Sequence, residues 1–491
     1  MKKQVFNPYL PGWEYIPDAE PHVFGNRVYL YGSHDAFGGD DYCVNDYVCW
    51  SAPVTDLSDW RNEGVIYTRH DDPQSPDGGR KMQAPDVIQG ADGRYYLYYT
   101  LDLRGDVGPT SVAVCDTPAG EYRYLGLVSW PDSHPLGGRE GELLTFDPSL
   151  FRDDDGRYYM LTGIAVPDIP PLRKKVAAKG RIADGGYLVE LSADMLTVVG
   201  EPRRLLFGYD EAAGTPFEGH AFFEASALRK ISGRYYYFYC SEKSYELCYA
   251  VSNRLEGPYL FGGTVLSLGD IGLNGREEKD ALNYLGNTHG GLFEIDGKIY
   301  LSYHRQTNLI QYARQGCMEP LTILPDGSIP QVPVTSCGMN GGPLVGVGSY
   351  EARIACTLRS KEGVFDYKVF PTPPGIHPYL TQDLKDHEGI SDQFVANLQD
   401  GACIGFRYFE LKNPKGIIAV IRGSGTGTLT VSTETDCTPL ASLRITPGEF
   451  WHAVSAPLAP VCGVHGLIFT YHGEGAIDFF SFTLEEGASK A

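Results

Sequence analysis

Five ionisable residues, Asp18, Asp86, Asp147, Glu224 and His289, head five similar stretches of this chain. Each head is followed by a short apolar run, a turn on Asp-Gly or Gly, and a Tyr-rich return, as in Asp147-Pro-Ser-Leu-Phe-Arg-Asp-Asp-Asp-Gly-Arg-Tyr-Tyr159. If the heads meet, four carboxylates and one imidazole share one small volume, and like charges that close repel. Carboxylates forced together can split into one protonated and one ionised group. A pair of that kind, facing each other across a dry pocket, can protonate a leaving oxygen and activate a water. Glu224 lies in His220-Ala-Phe-Phe-Glu224-Ala-Ser-Ala, with Phe222 and Phe223 beside it. Apolar surroundings disfavour a carboxylate and raise its pKa. Glu224 is therefore expected to be a general acid and Asp18 the base. Asp147 is the expected third carboxylate, keeping Glu224 protonated and orienting it.

The elements that would bring the heads together are legible from the repeat. The heads recur every 68, 61, 77 and 65 residues, and the Tyr after each hairpin follows its head by 11, 10, 12, 12 and 11 residues. The turn glycine supplies positive φ, and the Tyr/aliphatic alternation behind it has the period of a strand. Repeats of this length, each a hairpin with further strands, read as propeller blades. The spacing predicts an all-β chain whose first domain, residues 1–337, is a five-bladed β-propeller with the heads at its axis. Polar, turn-rich connections at 69–82 and 164–185 are expected to shape the face over that axis.

The repeat ends near Pro333. Residues 338–349 are Gly-rich and read as a linker. From 350 to 491 short strands such as Gly416-Ile-Ile-Ala-Val-Ile-Arg422 suggest a β-sandwich or jelly roll. With 491 residues two domains are expected. The net charge of −21 argues against nucleic acid or an anionic membrane as partner and suits a neutral or cationic substrate. The N-terminal stretch lacks an apolar signal region, and the eleven scattered cysteines include no CxxC pair. Reduced thiols and a cytoplasmic location are the expectation.

The repeat heads, the Asn7-Pro-Tyr-Leu-Pro-Gly12 opening, the Asp147 stretch and Phe223-Glu224-Ala-Ser resemble glycoside hydrolase family 43 over roughly residues 5–335. The resemblance implies an inverting hydrolase of β-xylosidic or α-L-arabinofuranosidic bonds, as in plant xylan, and the lack of an apolar signal region favours short, imported oligosaccharides as the expected substrates. It places the base on Asp18, the pKa modulator on Asp147 and the acid on Glu224. It also implies an axial calcium ion contacted by His289. Residues 350–491 resemble a family 6 carbohydrate-binding module through Val420-Ile-Arg422-Gly-Ser-Gly, Trp451 and Gly473-Glu-Gly-Ala-Ile-Asp478.

Three further residues are substrate-binding candidates, each with a plainer alternative. His34 is placed at the pocket rim or in a surface turn. Asp86 is expected either to bond a sugar hydroxyl or to cap a turn. Arg305 is expected to reach a carboxylate in the pocket or to form a surface ion pair. Two other functions are open to such a propeller: glycan binding without catalysis, and an inverting phosphorylase. The second needs cations converging on phosphate, and these heads are acidic.

Overall fold

A computed structural model describes residues 3–102, 107–177, 180–367, 375–384 and 392–486. Its first nineteen strands form five antiparallel sheets in chain order. Blade one is β1 (Glu20–Phe24), β2 (Arg27–Tyr31), β3 (Tyr47–Pro53) and β4 (Arg61–Tyr67). Blade two is β5 (Met82–Gln89), β6 (Tyr95–Asp102), β7 (Val107–Cys115) and β8 (Arg123–Leu127). Blade three is β9 (Ser149–Arg152), β10 (Tyr158–Thr162), β11 (Gly185–Leu191) and β12 (Val198–Phe207). Blade four is β13 (Phe222–Ile231), β14 (Arg234–Ser241), β15 (Glu246–Ser252) and β16 (Leu260–Ser267). Blade five has three strands, β17 (Leu292–Ile295), β18 (Lys298–Thr307) and β19 (Ile310–Leu321).

The sequence dictates this local structure blade by blade. The glycine at the first hairpin of each blade, Gly25, Gly93, Gly156, Gly233 and Gly297, has φ of 62°, 83°, 86°, 77° and 76°. Side chains with a Cβ avoid that region. The tyrosines behind these turns, among them Tyr98, Tyr99, Tyr237 and Tyr239, are buried between blades. Inner strand β1 contacts β5, β5 contacts β9 and β9 contacts β13, while β17 returns to β1. This is a five-bladed propeller. The N-terminal segment stitches the ring shut: Asn7 donates through Nδ2 to the Met318 carbonyl (3.0 Å) and accepts from the Met318 N–H (2.9 Å).

The remaining strands make two six-stranded sheets packed face to face. They are β20 (Leu344–Val345), β21 (Gly348–Glu351), β22 (Thr357–Arg359), β23 (Tyr379–Thr381), β24 (Phe394–Leu398) and β25 (Cys403–Lys412). Then follow β26 (Gly416–Gly423), β27 (Thr426–Thr433), β28 (Ala441–Ile445), β29 (Gly448–Pro457), β30 (Cys462–Glu474) and β31 (Ile477–Glu485). Phe406, Phe469, Phe479 and Phe482 fill the space between the sheets. The expected linker at 338–349 is not a free connection. β20 pairs parallel with β25, and β21 pairs antiparallel with β31, so the glycines there lie in strands and tight turns of the sandwich.

The sandwich is bound firmly to the propeller. Arg407 forms a buried ion pair with Asp270 (2.6 Å), and Arg359 donates to the Ala281 carbonyl (2.9 Å). The connection 164–185, expected to be polar and turn-rich, contains helix α1 (Pro170–Ala177). Among the described residues, no helix is long and apolar enough to cross a membrane.

Candidate active site

The heads of blades one, three, four and five do converge. Asp18, Asp147, Glu224 and His289 all line one cavity of about 410 Å³ at the end of the inner strands. Asp18 and Asp147 precede β1 and β9 with φ of 54° and 47°. Left-handed backbone in a non-glycine residue is uncommon and clusters at functional sites. Here it turns the start of each inner strand so that the carboxyl faces the axis.

Blade two departs from the expected register. Ala84, with φ of 33°, lines the cavity. Asp86 lies two residues further down the inner strand and is fully buried. Its Oδ2 accepts from the Leu150 N–H of blade three (2.6 Å), and its Oδ1 pairs with His22 Nε2 of blade one (2.6 Å). Asp86 therefore ties three blades together beneath the cavity and is not a sugar contact. Its equivalent in blade one is Glu20, whose Oε2 accepts from Arg229 (3.0 Å). A Cβ on Gly291, the blade-five equivalent, would meet that same oxygen at 1.9 Å, which is why glycine stands there.

The other two sugar-contact candidates also fall elsewhere. His34 is not in the cavity wall; its Nε2 pairs with Glu14 (3.1 Å) and its Nδ1 with the Asp46 carbonyl (2.7 Å). Arg305 is buried and reaches neither the pocket nor the surface. It donates to the Ala355 carbonyl (2.8 Å) and to the Arg353 carbonyl, joining blade five to the sandwich. Strand alternation explains the miss. In β18 it is the preceding residue, His304, that faces Asp18.

The residue that sequence reasoning overlooked is Arg314, from β19. Its Nη1 donates to Asp18 Oδ1 (2.9 Å), while Nε (2.8 Å) and Nη2 (3.1 Å) clasp buried Asp35. Its guanidinium also lies over the Tyr42 ring, 4.8 Å from the centroid. The Asp18 backbone N–H donates to His304 Nδ1 (3.3 Å), and the rings of His304 and His289 stand near Asp18 Oδ1, with Nδ1 at 3.3 and 3.9 Å. His289 Nδ1 lies 3.5 Å from Asp147 Oδ2. An arginine two residues before Gly316 and three before Cys317, in a strand buried from Ala313 to Glu319, was the available trace of a charge with an internal partner.

These neighbours set opposite proton affinities. Burial alone would raise the Asp18 pKa, but the charge of Arg314, helped by His304 and His289, holds it down at about 2. Among the described residues Glu224 has no cation in contact, and the more distant Arg314 only partly offsets what raises it. Burial, and then the negative charge of Asp18, push it up to about 8. Asp147 is raised as well, by burial and then by Glu224 and Asp18. Burial lowers His289 and pushes His304 down to about 3, so both imidazoles are neutral near pH 7. At that pH the cavity presents a fixed carboxylate on Asp18 and a protonated carboxyl on Glu224.

A propeller with an anionic carboxylate and a carboxylic acid facing one axial cavity belongs to the glycosidases. Comparison with known families matches residues 7–329 to Glycosyl hydrolases family 43, and the chain belongs to that family. A "Xylosidase/arabinosidase" of Thermoclostridium stercorarium is 45% identical over 486 residues, 99% of each chain. A "Xylosidase/arabinosidase" of Bacteroides ovatus is 29% identical over 315 residues, 60% of this chain and 87% of its own. Among solved structures, a family 43 arabinoxylan arabinofuranohydrolase of Bacillus subtilis, in complex with cellotetraose, superposes with a TM-score of 0.51. It is 21% identical and the match covers 98% of this chain and 97% of that one.

Proposed function

We propose that this glycosidase cleaves β-xylosidic and α-L-arabinofuranosidic bonds of short oligosaccharides with inversion of the anomeric centre. Glu224 gives its proton to the leaving glycosidic oxygen. Asp18 takes a proton from a water, which attacks the anomeric carbon from the opposite face. Arg314 holds Asp18 ionised until it takes the water's proton and returns it to that state once the proton passes to solvent, and Asp147 supports the proton on Glu224. The observation that carries this reading is the placement of Asp18 and Glu224 in the wall of one cavity, with the Arg314 guanidinium bonded to Asp18 and Phe223 beside Glu224. The nature of the relatives supports the choice of sugars. A phosphorylase is disfavoured because Arg314, the guanidinium in the cavity wall, is already committed to Asp18 and Asp35.

An axial cation contacted by His289 belongs to the same proposal. The fit rests on the layer beneath the heads, where Glu20 Oε1 and Ser149 Oγ are buried without a hydrogen-bond partner among the described residues. Unsatisfied oxygens suit a hydrated hard cation, and neutral His289 has a lone pair to offer. The two metal-capable side-chain groups found among the described residues, Glu20-His22-Asp86 and His220-Glu246-Cys248, do not include His289. Such an ion would fix His289 between Asp18 and Asp147 and add positive charge near the axis.

The deciding experiment is proton NMR of the first-formed sugar from a nitrophenyl β-xyloside. Release of the α-anomer is expected. A β-anomeric first product would overturn the mechanism and the role given to Asp18.

A further inference from the structure

The cavity is not built by the propeller alone. Tyr367 of the second domain stands in its wall, beside Tyr42 of blade one and Gln311 of blade five. The backbone fixes it there. Leu285, in the connection to blade five, donates to the Phe365 carbonyl (2.9 Å) and accepts from the Tyr367 N–H (2.9 Å). The adjoining Gly286 and Asn287 also line the cavity. The Tyr367 ring is held edge-on against Phe365 (4.4 Å) and Tyr284 (6.4 Å). Gln311 donates to the Tyr367 carbonyl (3.4 Å), so the tyrosine is tied to the wall from two sides.

Its hydroxyl is the exception to this order. The residue is 4% exposed, and the oxygen is buried without a hydrogen-bond partner among the described residues. Burial raises the phenol's pKa, so it stays a neutral donor and acceptor. Leaving a buried hydroxyl unpaired is unfavourable, and this one belongs to a residue in the wall of the cavity, where a bound ligand can supply the partner. Tyr42, by contrast, already donates its hydroxyl to Gln311.

We propose that Tyr367 is a specificity-determining residue, its hydroxyl pairing with one hydroxyl of the sugar bound in the cavity. The sandwich is then a wall of the sugar pocket and not a separately acting binding module. This rests on the glycosidase reading of the cavity. A site built around a hydrogen bond rejects an analogue lacking the matching group more strongly than a purely apolar site can.

The test is Tyr367→Phe, which keeps the ring and its packing, assayed on a nitrophenyl pentoside and on its set of monodeoxy analogues. Loss of one neutral hydrogen bond should lower kcat/KM about 2- to 13-fold on the parent sugar. One analogue should lose a similar factor with the unaltered enzyme and nothing more with the variant. Equal losses on every sugar, or no loss on the parent, would overturn the assignment. A merely structural role would lower the Tm and affect all substrates alike. Calorimetric titration of Glu224→Gln protein with xylose, arabinose and xylobiose separates the two readings. If the unaltered enzyme cleaves no pentoside, the proposed function fails. Whether Tyr367→Phe on the Glu224→Gln background weakens binding of any of these sugars still decides the present claim. If none binds, both fall.

Discussion

The two sides of the cavity are built from the same repeat and behave oppositely. Asp18 and Glu224 both stand at the start of an inner strand, and both are raised by burial. Blade five supplies Arg314 to Asp18, whereas Glu224 has Phe223 beside it and Phe146 in the shared wall. One guanidinium therefore separates base from acid. The repeat supplies the positions, and the chemistry comes from an outer strand that the repeat does not encode.

The largest way to break this contrast is to remove the charged side. Asp18→Ala should lower kcat by about 10²–10⁴-fold or more, on nitrophenyl and alkyl glycosides alike, since leaving-group ability does not replace a base. Glu224→Ala should show a loss of similar size on alkyl glycosides, but only about tenfold or less on dinitrophenyl glycosides, whose leaving group needs no proton. Equal losses on both would remove Glu224 from the acid role.

Arg314→Met tests the origin of the contrast. Without the cation, the Asp18 pKa should rise from about 2, and the acidic limb of the kcat/KM profile should move up by about 1–3 pH units. The protein should also lose roughly 3–5 kcal/mol of stability, read by denaturant unfolding, because buried Asp35 is left unpaired. An unmoved acidic limb would assign the base to another group.

Smaller effects sharpen the other side. Asp147→Asn removes a potential like charge, so the Glu224 pKa should fall and the basic limb should move down from near pH 8. Stability carries the same signature. A carboxyl raised to about 8 when folded binds more protons than in the unfolded chain, so it costs stability progressively between its ordinary value and pH 8. The Tm gain of Glu224→Gln over the unaltered protein should therefore be larger at pH 8 than at pH 5. The smallest effect is expected for His34→Ala, with kcat/KM within about threefold, since His34 answers to Glu14 outside the cavity.

The propeller and four of the five heads were legible because glycine turns and Tyr alternation repeat with little variation. Blade two was misread by two residues for a definite reason. Its true head is Ala84, which carries no chemistry, and an irregularity between Gln83 and Asp86 shifts the strand register there. The tyrosine offset of 10, against 11 or 12 elsewhere, was the trace of that shift; counted from Ala84 it becomes 12. Arg314 and Tyr367 were not legible, since each acts through contacts with distant parts of the chain. The resemblance of the second domain to a carbohydrate-binding module also read differently in three dimensions. Trp451 is covered by the Arg422 guanidinium at 4.3 Å, which is itself paired with Asp383 and Asp478. A face so covered is a poor sugar platform.

The stitched ring also bears on how the molecule is made. Asp18 leaves the ribosome well before its counter-charge, which follows 296 residues later. Until the last blade emerges, Asp18 has no arginine, and base and acid are two ordinary carboxyls. A nascent or truncated chain ending before β19 can display every acidic head and still have no division of labour between them. The hydrolytic power of this protein thus appears only after translation of blade five, when the beginning of the chain has something to close upon.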